Sequence, residues 1–184
     1  MNTQSSCARG AIVAEFAIIV PLLLLVAIAG LEFSRSFKYT EVATMLAREG
    51  ASIAYRMCSA ERDVIAANQC LQTVRETVDD FGNNVFPGAN VLLSMYRYPA
   101  ENEDCTGEIQ QVAIVGVGAH QTKVRFIGDE RSQQDEQDRS QGEIDRQAVC
   151  RSGVLIVSEV FIPYEPLVPL FPYNPEVFYE IAIL

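Results

Sequence analysis

Three sets of residues carry the chemistry this sequence can offer: an acid inside an apolar run, five cysteines and a single histidine. Glu15 stands between Ala11-Ile12-Val13-Ala14 and Phe16-Ala17-Ile18-Ile19-Val20, and the apolar run continues to Leu31, interrupted by Pro21. A carboxylate at the centre of a membrane helix costs about 2.5–3.5 kcal/mol, and less near its end. Such a group needs a partner charge or a route to a polar boundary.

The cysteines are Cys7, Cys58, Cys70, Cys105 and Cys150. None forms a C-x-x-C pair, which argues against a zinc site of the ribbon type. With Cys7 set aside on a removed or cytoplasmic leader, the other four suit two disulfides in an oxidising compartment. Three pairings exist and the sequence does not choose among them. Cys58–Cys70 is preferred because it joins a helix end to the next helix, which leaves Cys105 with Cys150. Buried free thiols in a cytosolic protein are the alternative.

His120 lies in Gly118-Ala119-His120-Gln121 and reads as an exposed turn residue. A lone histidine excludes a metal site built on several imidazoles. There is no G-x-S-x-G elbow for a nucleophile and no G-x-x-x-x-G-K loop for phosphates. Seven of the 24 Asp and Glu residues cluster in a polar segment over 128–147, a poor place for a fixed catalytic pair. No catalytic residue, metal or cofactor is assigned, and an enzyme is not expected. The net charge of −10 and pI near 4.6 offer no basic patch to replace the counterions of a nucleic acid, so nucleic acid is excluded as the main partner.

These groups must be positioned by a small set of elements. At 184 residues, 49% of them apolar, one globular unit is expected. A helix over 11–31 would rise roughly 31 Å, close to the ~30 Å core of a bilayer. A cleaved secretory signal is one reading, because Ala27-Ile28-Ala29 before Gly30 has the form of its cleavage site; the domain would then start near Gly30. Glu15 and the lone basic residue before it, Arg9, argue against that reading. An ordinary anchor is another, but it has no use for Glu15.

The helix is expected to continue as a stalk over 32–57 on a face of Tyr39, Val42, Leu46, Ile53 and Met57, with Pro21 as a kink and Gly30 and Gly50 as weak points. A second helix begins at an N-cap of Ser59, buries Val64, Ala67, Leu71, Val74, Val78 and Phe81, and stops at Gly82. Strands follow at Val91–Tyr98, Ile109–Val117, Val154–Ile162 and Val177–Leu184, with a short extra one around Val124–Ile127. Helices first and strands after predict an α+β fold: a long N-terminal helix, a second helix and a small antiparallel sheet of about four strands packed on both.

Residues 128–147 are too polar to order themselves and are expected to form a mobile acidic loop without the spacing of a calcium site. Pro163, Pro166, Pro169, Pro172 and Pro175 recur every three residues, the period of a polyproline helix. They read as a stiff connection over 163–175, or as a ridge for a partner subunit.

Gly10-Ala11-Ile12-Val13-Ala14-Glu15-Phe16 resembles a prepilin processing site. With Arg9 before it, Pro21 and the leucines after it, and Gly30-Leu31-Glu32-Phe33 beyond, the segment is similar to the opening of TadE-like proteins. These are minor pilins, or pseudopilins, of the tight-adherence (Flp, type IVc) pilus system. The resemblance implies a leader over 1–10, cleavage after Gly10 by a prepilin peptidase, and a mature chain starting at Ala11. It also implies a single pass through a bacterial inner membrane, with residues 58–184 as an extracytoplasmic domain.

The implied partners are other pilins, pilus-assembly membrane proteins, the peptidase and the lipid bilayer. On this reading the new ammonium at Ala11 pairs with Glu15 of the same or a neighbouring subunit. That pair sets the register between packed helices, with Phe16 and Pro21 beside it. A Glu15 that merely reaches the headgroups is the simpler alternative. A tethered periplasmic binding or sensor module with an uncleaved anchor is the rival function.

Overall fold

The computed structural model describes residues 4–98, 109–116, 118, 120–127, 143–167 and 177–184, with side chains from Glu15 onward except those of 125–148. Helix α1 runs unbroken from Gln4 to Cys58, through Pro21, Gly30 and Gly50. It therefore begins before Ala11, where the sequence suggests a leader distinct from the helix. Helix α2 spans Val64–Val85. Strands β1 (Asn90–Arg97), β2 (Gln110–Val115), β3 (Arg125–Ile127) and β4 (Glu143–Asp145) come next, then α3 (Arg146–Ser152), β5 (Val154–Pro163) and β6 (Val177–Ile183).

The chain divides into two compact units: Met1–Lys38 with Pro166–Asn174, and Tyr39–Glu165 with Pro175–Leu184. The second unit is the α+β fold the sequence predicts. Its four-stranded sheet has the order β2-β1-β5-β6 and every pairing is antiparallel. Each of the four strands lies within two residues of its expected bounds.

One face of the sheet meets the two helices. Val91, Leu93 and Met95 of β1 and Ile156, Val160 and Ile162 of β5 pack against Ala43, Leu46, Ala47, Ala54 and Cys58 of α1 and Ala67, Leu71, Val74 and Val78 of α2. The face that α1 presents is thus richer in alanine than the large-residue stripe suggested, and Met57 is exposed. Small residues let the helix come close: a Cβ on Gly50 would stand 2.7 Å from the Ser158 hydroxyl. Val64 and Phe81, expected in the core of α2, are exposed as well.

The boundaries of α2 differ from expectation for local reasons. Its N-cap is Asp63, whose carboxylate accepts the Ala66 N–H at 3.0 Å, a role that Ser59 cannot take four residues earlier. Ser59 instead belongs to the turn after α1, where the Arg97 guanidinium donates to the carbonyls of Ser59 and Glu61 at 2.8 and 2.5 Å. Gly82 does not end the helix. It packs on Leu46 inside α2, and its carbonyl accepts the N–H of the C-cap residue Phe86.

Farther along, α2 holds the start of β1 by both backbone groups. Asp79 accepts the Val91 N–H at 2.9 Å, Arg75 donates to the Val91 carbonyl at 3.1 Å, and the two side chains pair at 2.9 Å. Burial raises the Asp79 carboxyl above its usual range, against the opposing pull of Arg75.

The other face of the sheet carries a second core of Tyr96, Tyr98, Leu155 and Val157 with Val149 of α3, and Val124 packs against it. This double coverage explains why β1 and β5 read as nearly continuous apolar runs. Residues 143–147 belong to β4 and the start of α3, not to a mobile loop, because β4 finds a parallel partner in β3. The rest of the expected loop, 128–142, lies outside the described residues. So do Pro169, Pro172 and Pro175, while Pro163 is the last residue of β5 rather than the start of a separate ridge.

Candidate functional site

Gly10, Ala11, Glu15, Phe16 and Pro21 all fall on α1. The side chains of Gly10 and Ala11 are outside the described residues, whereas Glu15, Phe16 and Pro21 are exposed. From Glu15 to Leu31 every residue but Ala29 is exposed, with Phe16 at 62% and Ile18 at 73%. So large an unbroken apolar surface is unfavourable in water and fits a segment that lipid or other chains cover. The helix is long and apolar enough to cross a membrane. Between Glu15 and Leu31 it offers packing surface and one carboxylate, that of Glu15.

In the α+β unit, Cys58 and Cys70 are joined by a disulfide with their Cα atoms 5.8 Å apart, tying the end of α1 to α2. The bond closes a loop of twelve residues in sequence separation, which is worth about 3 kcal/mol on the chain-entropy account. Cys150 is disulfide-bonded too, and Cys105, its expected partner, lies outside the described residues.

The sequence reading gave no role to Glu159, which is fully buried at the middle of β5 on the face away from α1 and α2. Its carboxylate accepts from the Thr122 hydroxyl at 2.5 Å, the Lys123 N–H at 2.8 Å and the Tyr179 hydroxyl at 2.9 Å. Burial, with the neighbouring carboxylate adding to it, pushes the Tyr179 phenol far above its ordinary range. Burial likewise raises Tyr96. The Lys123 ammonium sits 4.4 Å from the centre of the Tyr179 ring.

His120 is not a free turn residue: its ring stacks on Phe161 with centroids 4.4 Å apart. With three donors directed at it, Glu159 fastens the 120–124 segment to the sheet. The one trace it leaves in the sequence is an acid within a largely apolar strand.

Among the described residues no group of three His, Cys, Asp or Glu side chains stands close enough to hold a metal ion. The architecture defines a class: an α+β head whose first helix extends into a long, exposed, apolar segment. Residues 10–52, less than a quarter of the chain, match the family model described as TadE-like protein, so this stretch of α1 is similar to TadE-like proteins. The match opens at Gly10 and ends at Ser52, inside α1. No curated protein and no solved structure matches the chain.

Proposed function

We propose that this protein is a membrane-anchored minor pilin, or pseudopilin, that acts in assembly of a tight-adherence pilus and so in surface adhesion. The observation that carries the reading is the TadE-like match beginning at Gly10 on a helix whose apolar side chains are exposed. In this account a prepilin peptidase cuts after Gly10, and α1 anchors the chain in the inner membrane with the sheet domain outside the cytoplasm. The helix then packs sideways against other pilins. Glu15 fixes the register by pairing with the ammonium that cleavage creates at Ala11, since an unpaired charge in that setting is strongly disfavoured. The role is structural, and no catalytic step is assigned to the chain.

Removing the gene from a cell that makes such pili tests this directly. Surface filaments and adherence should be lost, and should return with the wild-type chain but not with a Gly10→Val chain that resists cleavage. Filaments and adherence that survive removal of the gene contradict the proposal.

A further inference from the structure

Just past the apolar run, the first compact unit is built inside out. Between Glu15 and Lys38 the one buried residue is Glu32, 6% exposed, whereas its neighbour Phe33 is 65% exposed. Leu31 and Phe37 are exposed as well, and the rings of Phe33 and Phe37 meet edge to face at 4.4 Å. The carboxylate of Glu32 accepts the backbone N–H of Leu167 with both oxygens, at 3.3 and 3.2 Å. The Leu167 side chain itself is 59% exposed. A surface that faces water hides its leucines and shows its acids; here the acid is hidden and the large apolar groups are shown.

We propose that the lipid–water boundary of a bilayer covers this collar, with Phe33, Phe37 and Leu167 seated at the level of the headgroups and upper acyl chains. The inference rests on the membrane-anchored reading above and adds a second contact to it, made by a segment more than a hundred residues farther along the chain. An amide N–H without an acceptor is costly near hydrocarbon, so a chain that returns to the membrane surface needs one supplied. Glu32 supplies it, one residue beyond the end of the apolar run.

The neighbouring chemistry fits a lipid boundary better than a protein partner. The wholly apolar rings of Phe33 and Phe37 suit the upper acyl chains, and the exposed Lys38 is placed to reach phosphate headgroups with its long stem. From Leu167 to Pro175 the sequence carries no charged residue, so nothing in it opposes the approach to lipid.

The protein contains no tryptophan, so one introduced indole reports alone. Full-length Leu24→Trp and Leu167→Trp chains are reconstituted separately in phosphatidylglycerol–phosphatidylcholine vesicles at low protein density, with spin-labelled lipids quenching at shallow or deep positions. The expected result is that the deep label removes most of the Leu24→Trp emission and the shallow label most of the Leu167→Trp emission. Adding Glu32→Ala to the Leu167→Trp chain should restore much of the intensity lost to the shallow label.

If the Leu24→Trp chain is quenched while the Leu167→Trp chain emits as in water, untouched by either label, the lipid contact is overturned and the anchor stands. Blue-shifted emission from the Leu167→Trp chain that neither label quenches assigns the collar to a protein neighbour and overturns the contact equally. Quenching in neither chain removes the anchored reading, and the contact with it. Unchanged quenching when Glu32→Ala is added to Leu167→Trp overturns the part assigned to Glu32.

Discussion

Replacing Glu15 by Gln keeps the shape of the side chain and removes its charge, which isolates the feature that matters at that position. The variant should still enter the membrane fraction, because the apolar run is unaltered, while the number of surface filaments falls sharply. Filament numbers equal to wild type would remove the register argument. A second acid invites a matching experiment. In Tyr179→Phe the buried Glu159 loses one of its three donors, which should lower stability by about 1–3 kcal/mol near neutral pH, read by urea unfolding.

The same variant carries a pH signature. Because the folded-state phenol of Tyr179 is raised above its ordinary 10.0, the unfolded chain gives up that proton first as pH climbs. The stability tied to this group is therefore full below about pH 10 and is lost as pH rises beyond it. Tyr179→Phe should flatten part of that alkaline decline, and an identical decline in both proteins would count against the buried cluster. Glu15 stands out in the sequence because the apolar residues around it extend from Ala11 to Leu31. Glu159 was not, since a single acid in a strand reads as a solvent-facing position until the covering segment at 120–124 is seen.

Among the elements, the four strands of the main sheet were readable because β-rich runs stand between turn residues. What escaped was contact made at a distance. The turn after α1 is shaped by Arg97, thirty-eight residues beyond Ser59, so the helix start moved to Asp63. On α1 the expected Leu46 lies in the core with Tyr39, Val42 and Ile53 packed against it, but the alanines beside them escaped because they do not stand out in a stripe read from large residues. The pairing of β3 with β4 escaped because polar sequence shows no period.

The element most open to a simple test is the joint between α1 and α2. Cys58→Ala with Cys70→Ala should lower the unfolding free energy of the detergent-solubilised protein by about 2–4 kcal/mol without changing its helix content. A melting temperature equal to wild type would mean that the Arg97 contacts and the apolar core already fix that joint.

For the molecule as a whole, two surfaces divide the work. The sheet domain buries apolar residues on both faces of its sheet and is braced by a disulfide. From Glu15 to Leu31, the exposed Phe, Ile and Leu side chains of α1 each stand to gain roughly 1.5–3 kcal/mol on leaving water for lipid or a neighbouring helix. A tethered binding module would share this division. It would not need a cut at Gly10, and there the two accounts part. The most direct measurement is the intact mass and N-terminal sequence of the protein isolated from membranes of cells that make the pilus. A chain beginning at Ala11 is the result this account predicts, and a chain that keeps residues 1–10 in cells with an active prepilin peptidase would contradict it.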